Sequence, residues 1–151
     1  MTNILFVCHG NVGRSPMAMF IFQDMVNKRG LGDSYVIRSA GTSGEVIGMS
    51  MYPLAQEKLV EHRIPCKGHS ASQMSEAAYD YYDMIICMDL QNIRDLYKLT
   101  DNDPEGKISM LLDHTDRKGE EIADPWYTRD FDASWRDIKE GCEGLMAELE
   151  G

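Results

Sequence analysis

Apolar residues fall along this chain in short continuous blocks separated by longer stripes at helical spacing. Ile4-Leu5-Phe6-Val7 is the first block, ended by Cys8 and Gly10, and it predicts a strand buried on both faces. Met17, Ala18, Phe20, Ile21 and Met25 then give a helical apolar face, with Pro16 where a helix tolerates proline and Gly30 and Gly32 beyond its end. Tyr35 to Ala40 predicts a second strand, and Gly41-Thr42-Ser43-Gly44 a loop at its C-terminal end. Ala55, Leu59 and His62 mark a helix from about Pro53 to Ile64-Pro65, with His62 a solvated helix-end residue. Asp83 to Met88 is the third strand, with Cys87 in the core; Leu90, Ile93, Leu96 and Tyr97 follow as a helix, and Lys107 to Leu112 is the fourth strand. Phe131, Trp135, Ile138, Cys142, Leu145, Met146 and Leu149 close the chain as an amphipathic helix. Strands alternating with helices predict an α/β fold: a single domain over residues 1–151, with a four-stranded parallel sheet and helices on both faces.

Composition narrows the picture. The four cysteines contain no C-x-x-C pair, which argues against a disulfide framework or a zinc site, so neither metal nor cofactor is expected. No apolar run approaches the roughly 20 residues of a membrane span, and the N-terminus lacks a secretory pattern. A cytoplasmic protein with no membrane partner is therefore expected. A net charge of −10 disfavours nucleic acid as a partner. It does not exclude a small anion, because exposed charges are screened over about 8 Å while a loop acts at contact distance.

The candidate chemistry lies between the first strand and the first helix, in Cys8-His9-Gly10-Asn11-Val12-Gly13-Arg14-Ser15. Gly10 and Gly13 are expected to let the backbone curl so that successive amides converge, and the helix behind them adds its dipole, a layout that cradles a phosphoryl group. Arg14 brings a planar fork of donors that can grip two phosphate oxygens. Cys8, at the base of the cradle, is expected to react as a thiolate, because helix N-termini and cations stabilise that form. The loop lacks the glycine-lysine-serine/threonine ending of a nucleotide-triphosphatase and the three glycines of a dinucleotide fingerprint. None of the other cysteines has an arginine six positions on.

Ala123-Asp124-Pro125-Trp126-Tyr127 is a turn by composition. Beside the loop it acquires a function: Asp124 can protonate an alcohol or phenol leaving phosphorus, and Trp126 and Tyr127, on a surface loop, can flank a phenyl ring.

Together and in order, the Val7–Pro16 loop, Ser39-Ala40-Gly41-Thr42, Cys87-Met88-Asp89 and Asp124-Pro125-Trp126-Tyr127 resemble the low-molecular-weight protein tyrosine phosphatases over essentially the whole chain. The resemblance implies one α/β domain with the phosphate-binding loop after the first strand. It implies Cys8 as nucleophile, Arg14 and the loop from His9 to Ser15 on the phosphate, a hydrogen bond from Ser15 to the thiolate, and Asp124 as acid and then base. Asn11, His69 and Asp89 become the network propping the loop; from the residues alone, His69 reads as a satisfied histidine and Asp89 as a helix cap. Phosphotyrosine proteins or small aryl phosphates are the implied partners, with inorganic phosphate as product.

Two positions depart from the family pattern. Gly13 stands where many members carry a second loop cysteine, and Glu45 where an aromatic residue usually walls the substrate slot. Two rival functions are an arsenate reductase of the same fold, which needs a closely spaced pair of resolving cysteines absent here, and a non-catalytic phosphate-binding module.

Overall fold

In the computed structural model, which covers residues 1–151, the four strands are β1 (Thr2–Cys8), β2 (Tyr35–Gly41), β3 (Met84–Cys87) and β4 (Ile108–Met110). The helices are α1 (Arg14–Lys28), α2 (Pro53–Glu61), α3 (Ala78–Tyr81), α4 (Leu90–Leu99), α5 (Pro125–Thr128) and α6 (Phe131–Glu150). All strand pairs are parallel, in the order β2-β1-β3-β4. Because β1 is central and the chain moves outward from it in both directions, its C-terminal end lies at the switch point where open α/β sheets bind ligands.

The two-residue period of β1 splits the core. Ile4, Phe6 and Cys8 belong to the larger apolar cluster with α1 and α6, whereas Leu5 and Val7 join Ala40, Ile85 and Leu96 in a smaller one on the opposite face. Cys8 thus inherits its direction from Phe6, and its backbone from a central strand buried from Ile4 onward.

Several boundaries and faces differ from those predicted. β4 is only Ile108–Met110, and Leu111–His114 form a 3-10 turn instead. Leu111 and Leu112 are fully buried, so their apolarity reflects the core and not strand pairing. In α1 the deeply buried positions are Met17, Ala18, Ile21, Phe22 and Val26, while Phe20 and Met25 are only partly covered. The segment after Asp124 is a short helix, α5, and not a loop. His62 ends α2 and is exposed, as predicted, but it also stacks on Trp135 with ring centroids 4.0 Å apart. No helix is long and apolar enough to cross a membrane.

Candidate active site

The loop from His9 to Gly13 turns the chain from β1 into α1, and its one left-handed residue is Asn11 and not a glycine. Asn11 takes the left-handed conformation, with φ 59°, whereas neither Gly10 nor Gly13 has a positive φ. Asparagine is among the few non-glycine residues at ease there, and its side chain is put to use. Nδ2 donates to Ser15 Oγ and to Ser39 Oγ, both at 2.9 Å, and Oδ1 accepts from the Ser72 amide at 3.0 Å. Asn11 is completely buried, so each of its polar atoms needs these partners. His69 adds a fourth tie, donating from Nε2 to the Asn11 carbonyl at 2.7 Å.

Backbone bonds from the next segment hold the rest of the loop. Thr42 N donates to Cys8 O at 2.9 Å, Ser43 N to His9 O at 3.0 Å and Tyr52 N to Val12 O at 2.8 Å. Gly41 is required by close approach: a Cβ there would stand 2.6 Å from His9 O. With carbonyls tied back in this way, the amides of Gly10, Val12, Gly13, Arg14 and Ser15 make no hydrogen bond within the protein. They are the unsatisfied donors of a helix N-terminus and its approach, which attract an anion.

Cys8 Sγ lies at the base, 2.9 Å from Ser15 Oγ and accepting from the Asn11 amide at 3.3 Å. Arg14 is buried and oriented from behind: Nη1 donates to Asp89 Oδ2 and to Ile122 O, both at 2.8 Å. Its Nε and Nη2 groups make no hydrogen bond, and Nη2 faces Asp124 Oδ2 at 3.5 Å. Burial works against the Arg14 charge, but the charges of Cys8 and Asp124 and the bond to Asp89 outweigh it, so its pKa rises above the ordinary value. Asp89 also caps α4, accepting from the Asn92 amide at 2.8 Å. One carboxylate therefore fixes both the helix and the arginine.

Above these groups is a slot of about 200 Å³. Cys8, His9, Gly10, Val12, Gly13, Arg14, Glu45, Asp124, Trp126 and Tyr127 line it. Asn11 and Ser15, assigned by resemblance to the phosphate as well as to the loop's support, are buried behind it, and His69 and Asp89 also lie outside the lining. Val46, Tyr52 and Phe131 line the slot and were not anticipated. Tyr52 stacks on Phe131 at 5.5 Å and meets Trp126 edge-on at 5.0 Å. An aromatic side therefore exists even though Glu45 stands where one was expected. The available signal was Tyr52-Pro53 opening a helix shortly after a loop at the sheet's functional edge.

An α/β sheet with a thiol, an arginine and a carboxylate gathered around unpaired loop amides has the form of an anion-binding loop beside a thiol. Comparison with known proteins makes it specific. The model of the low molecular weight phosphotyrosine protein phosphatase family matches residues 3–151, and the chain belongs to that family. It is 39% identical to the low molecular weight protein-tyrosine-phosphatase YfkJ of Bacillus subtilis over 99% of this chain and 97% of that protein. Identity with the Sus scrofa low molecular weight phosphotyrosine protein phosphatase is 32%, over 97% of this chain and 95% of that one. The YfkJ crystal structure superposes with a TM-score of 0.96 over 99% of this chain and 95% of its own. A drosophila arginine phosphatase shares the fold at a TM-score of 0.89 and 29% identity, covering 100% of this chain and 99% of its own.

Proposed function

We propose that this chain hydrolyses phosphotyrosine and aryl phosphate monoesters through a cysteinyl-phosphate intermediate. The observation carrying this reading is the convergence on one slot of the Cys8 sulfur, the unpaired loop amides, and the facing Arg14 and Asp124 side chains 3.5 Å apart. The thiolate attacks phosphorus, an S–P bond forms, and the aryl P–O bond breaks opposite it. Loop amides and the free Arg14 donors stabilise the equatorial oxygens, where charge develops. The Asp124 carboxyl gives its proton to the leaving oxygen. In the second half, the Asp124 carboxylate takes a proton from water as that water attacks phosphorus, and the S–P bond breaks to release inorganic phosphate. Ser15 supports the sulfur as leaving group by hydrogen bonding. Asn11, His69 and Asp89 hold the loop and the arginine in place.

A slot with Tyr52, Trp126, Tyr127 and Phe131 on its walls suits a flat ring, which favours phosphotyrosine proteins and small aryl phosphates as partners. Four unpaired, buried cysteines suit a reducing cytoplasm. The reductase alternative needs accessible resolving thiols, whereas burial pushes the Cys87 and Cys142 thiols well above their ordinary pKa and keeps them protonated. Turnover of a phosphotyrosine peptide against a phosphoarginine peptide and arsenate, with and without EDTA, tests the reading. Phosphotyrosine hydrolysis that resists EDTA is expected; preference for phosphoarginine or arsenate overturns it.

A further inference from the structure

Two segments frame the slot, residues 43–52 and 124–131, and their charges are unequal. Glu45, Asp124 and Asp130 lie on them, and Arg129 is their only basic residue. Asp124 faces Arg14, and Asp130 Oδ1 is engaged with the Ala133 amide at 3.0 Å as the cap of α6. Arg129 forms no ion pair with any carboxylate.

Its guanidinium makes one side-chain hydrogen bond. Arg129 Nη1 donates to Tyr52 Oη at 2.7 Å, and the ring carrying that hydroxyl lines the slot. Arg129 is exposed and does not itself line the slot, but this bond sets its guanidinium beside a residue that does, with most of its five N–H donors unspent. Arg129 ends α5 with φ 64°, the left-handed conformation in which many helices stop.

We infer that Arg129 binds the carboxylate of an acidic residue neighbouring the phosphotyrosine in a peptide substrate, and that Tyr52 is the residue that positions it. The inference rests on the phosphatase reading and deepens it: the slot takes the phosphoryl ring while the rim reads its neighbour. Glu45, on the other framing segment, repels the same acidic side chain. The rim is therefore polar, and one flank of the peptide benefits from an acid more than the other.

The experiment uses phosphotyrosine peptides of equal length with Glu or Gln placed either before or after the phosphotyrosine. For the full chain, kcat/KM at low salt should favour Glu over Gln on one flank by about fivefold, the scale of an exposed but oriented charge pair. Salt should erode that ratio. Arg129→Asn, neutral and tolerant of left-handed backbone, should bring the ratio to one, and Arg129→Glu should reverse it. Tyr52→Phe, which keeps the ring and removes the hydroxyl, should lower it part of the way. A purely structural arginine would change both peptides equally. Glu/Gln ratios that are the same in wild type, Arg129→Asn and Arg129→Glu on both flanks overturn the inference. If the wild type hydrolyses neither peptide nor p-nitrophenyl phosphate, the phosphatase reading fails by itself. Arg129 is then decided by the affinities of the Cys8→Ser variant and its Arg129→Glu double variant for the same peptides, and equal affinities for Glu and Gln peptides sink it.

Discussion

Asp124 faces Arg14 with only half of its carboxylate: Oδ2 lies 3.5 Å from Arg14 Nη2, while Oδ1 accepts the Trp126 amide at 3.0 Å as the cap of α5. The cap fixes the plane of the carboxyl group and leaves one oxygen for chemistry. The Ile122 amide, bonded to Met88 O at 2.9 Å, brings this segment alongside β3, and Ile122 O in turn accepts from Arg14. Acid and arginine are thus held by the same short stretch of chain.

Asp124→Asn keeps an oxygen for the cap and loses the transferable proton. It should lower kcat/KM by roughly 10²–10⁴-fold for phenols of high pKa, and much less for p-nitrophenyl phosphate, whose leaving group departs with little protonation. Measured across a series of phenols, an equal loss for every leaving group would leave Asp124 as a turn residue only.

Asn11 carries both the backbone curl and the bonds that hold it. In Asn11→Ala, the left-handed backbone costs about 1–2 kcal/mol, and each lost buried hydrogen bond about 1 kcal/mol more. With three such bonds lost, urea unfolding should show a total loss of about 4–5 kcal/mol, with activity falling alongside. Asn11→Gly should recover the backbone share alone. If alanine and glycine behave alike, the left-handed conformation is not what asparagine serves here.

Much of this was legible in the sequence because it is local. The apolar run of β1, the loop and the start of α1 are contiguous, and the spacing from Cys8 to Arg14 sets their chemistry. Asp89 was readable as a cap from its position before Leu90, but its grip on Arg14 is tertiary. Likewise, Asn11 looks like any loop asparagine until Ser15, Ser39 and Ser72 surround it. Tyr52 was missed because its ring reaches the slot only through packing against Phe131 and Trp126. The face of α1 was misjudged because Phe20 and Phe22 are equally apolar, and only the docking of the helix decides which is buried.

Gly13 bears on oxidation. Its φ is negative, and a Cβ there would meet nothing within 4 Å. Wild-type Cys8 has no loop thiol to condense with; Cys87, on β3 opposite Val7, packs into the core on the other face of the sheet, and Cys66 and Cys142 belong to other segments. Peroxide should carry Cys8 past sulfenic acid to forms that dithiothreitol does not rescue, and bound phosphate should protect it. Gly13→Cys should instead form a reducible loop disulfide. Intact mass spectrometry should show oxygen gained by the wild type and two hydrogens lost by the variant. A Cys8 disulfide in the wild type would contradict the isolation of that sulfur.

The central claim is a phosphoryl group carried on one sulfur. Wild-type enzyme turning over p-nitrophenyl phosphate should be acid-quenched in the steady state, digested and examined by mass spectrometry for the peptide containing Cys8. A phosphorylated Cys8 that forms within the first turnover, and that is absent from Cys8→Ser along with activity, is the predicted result. Turnover that persists in Cys8→Ser, or a phosphoryl group found on another residue, would contradict it.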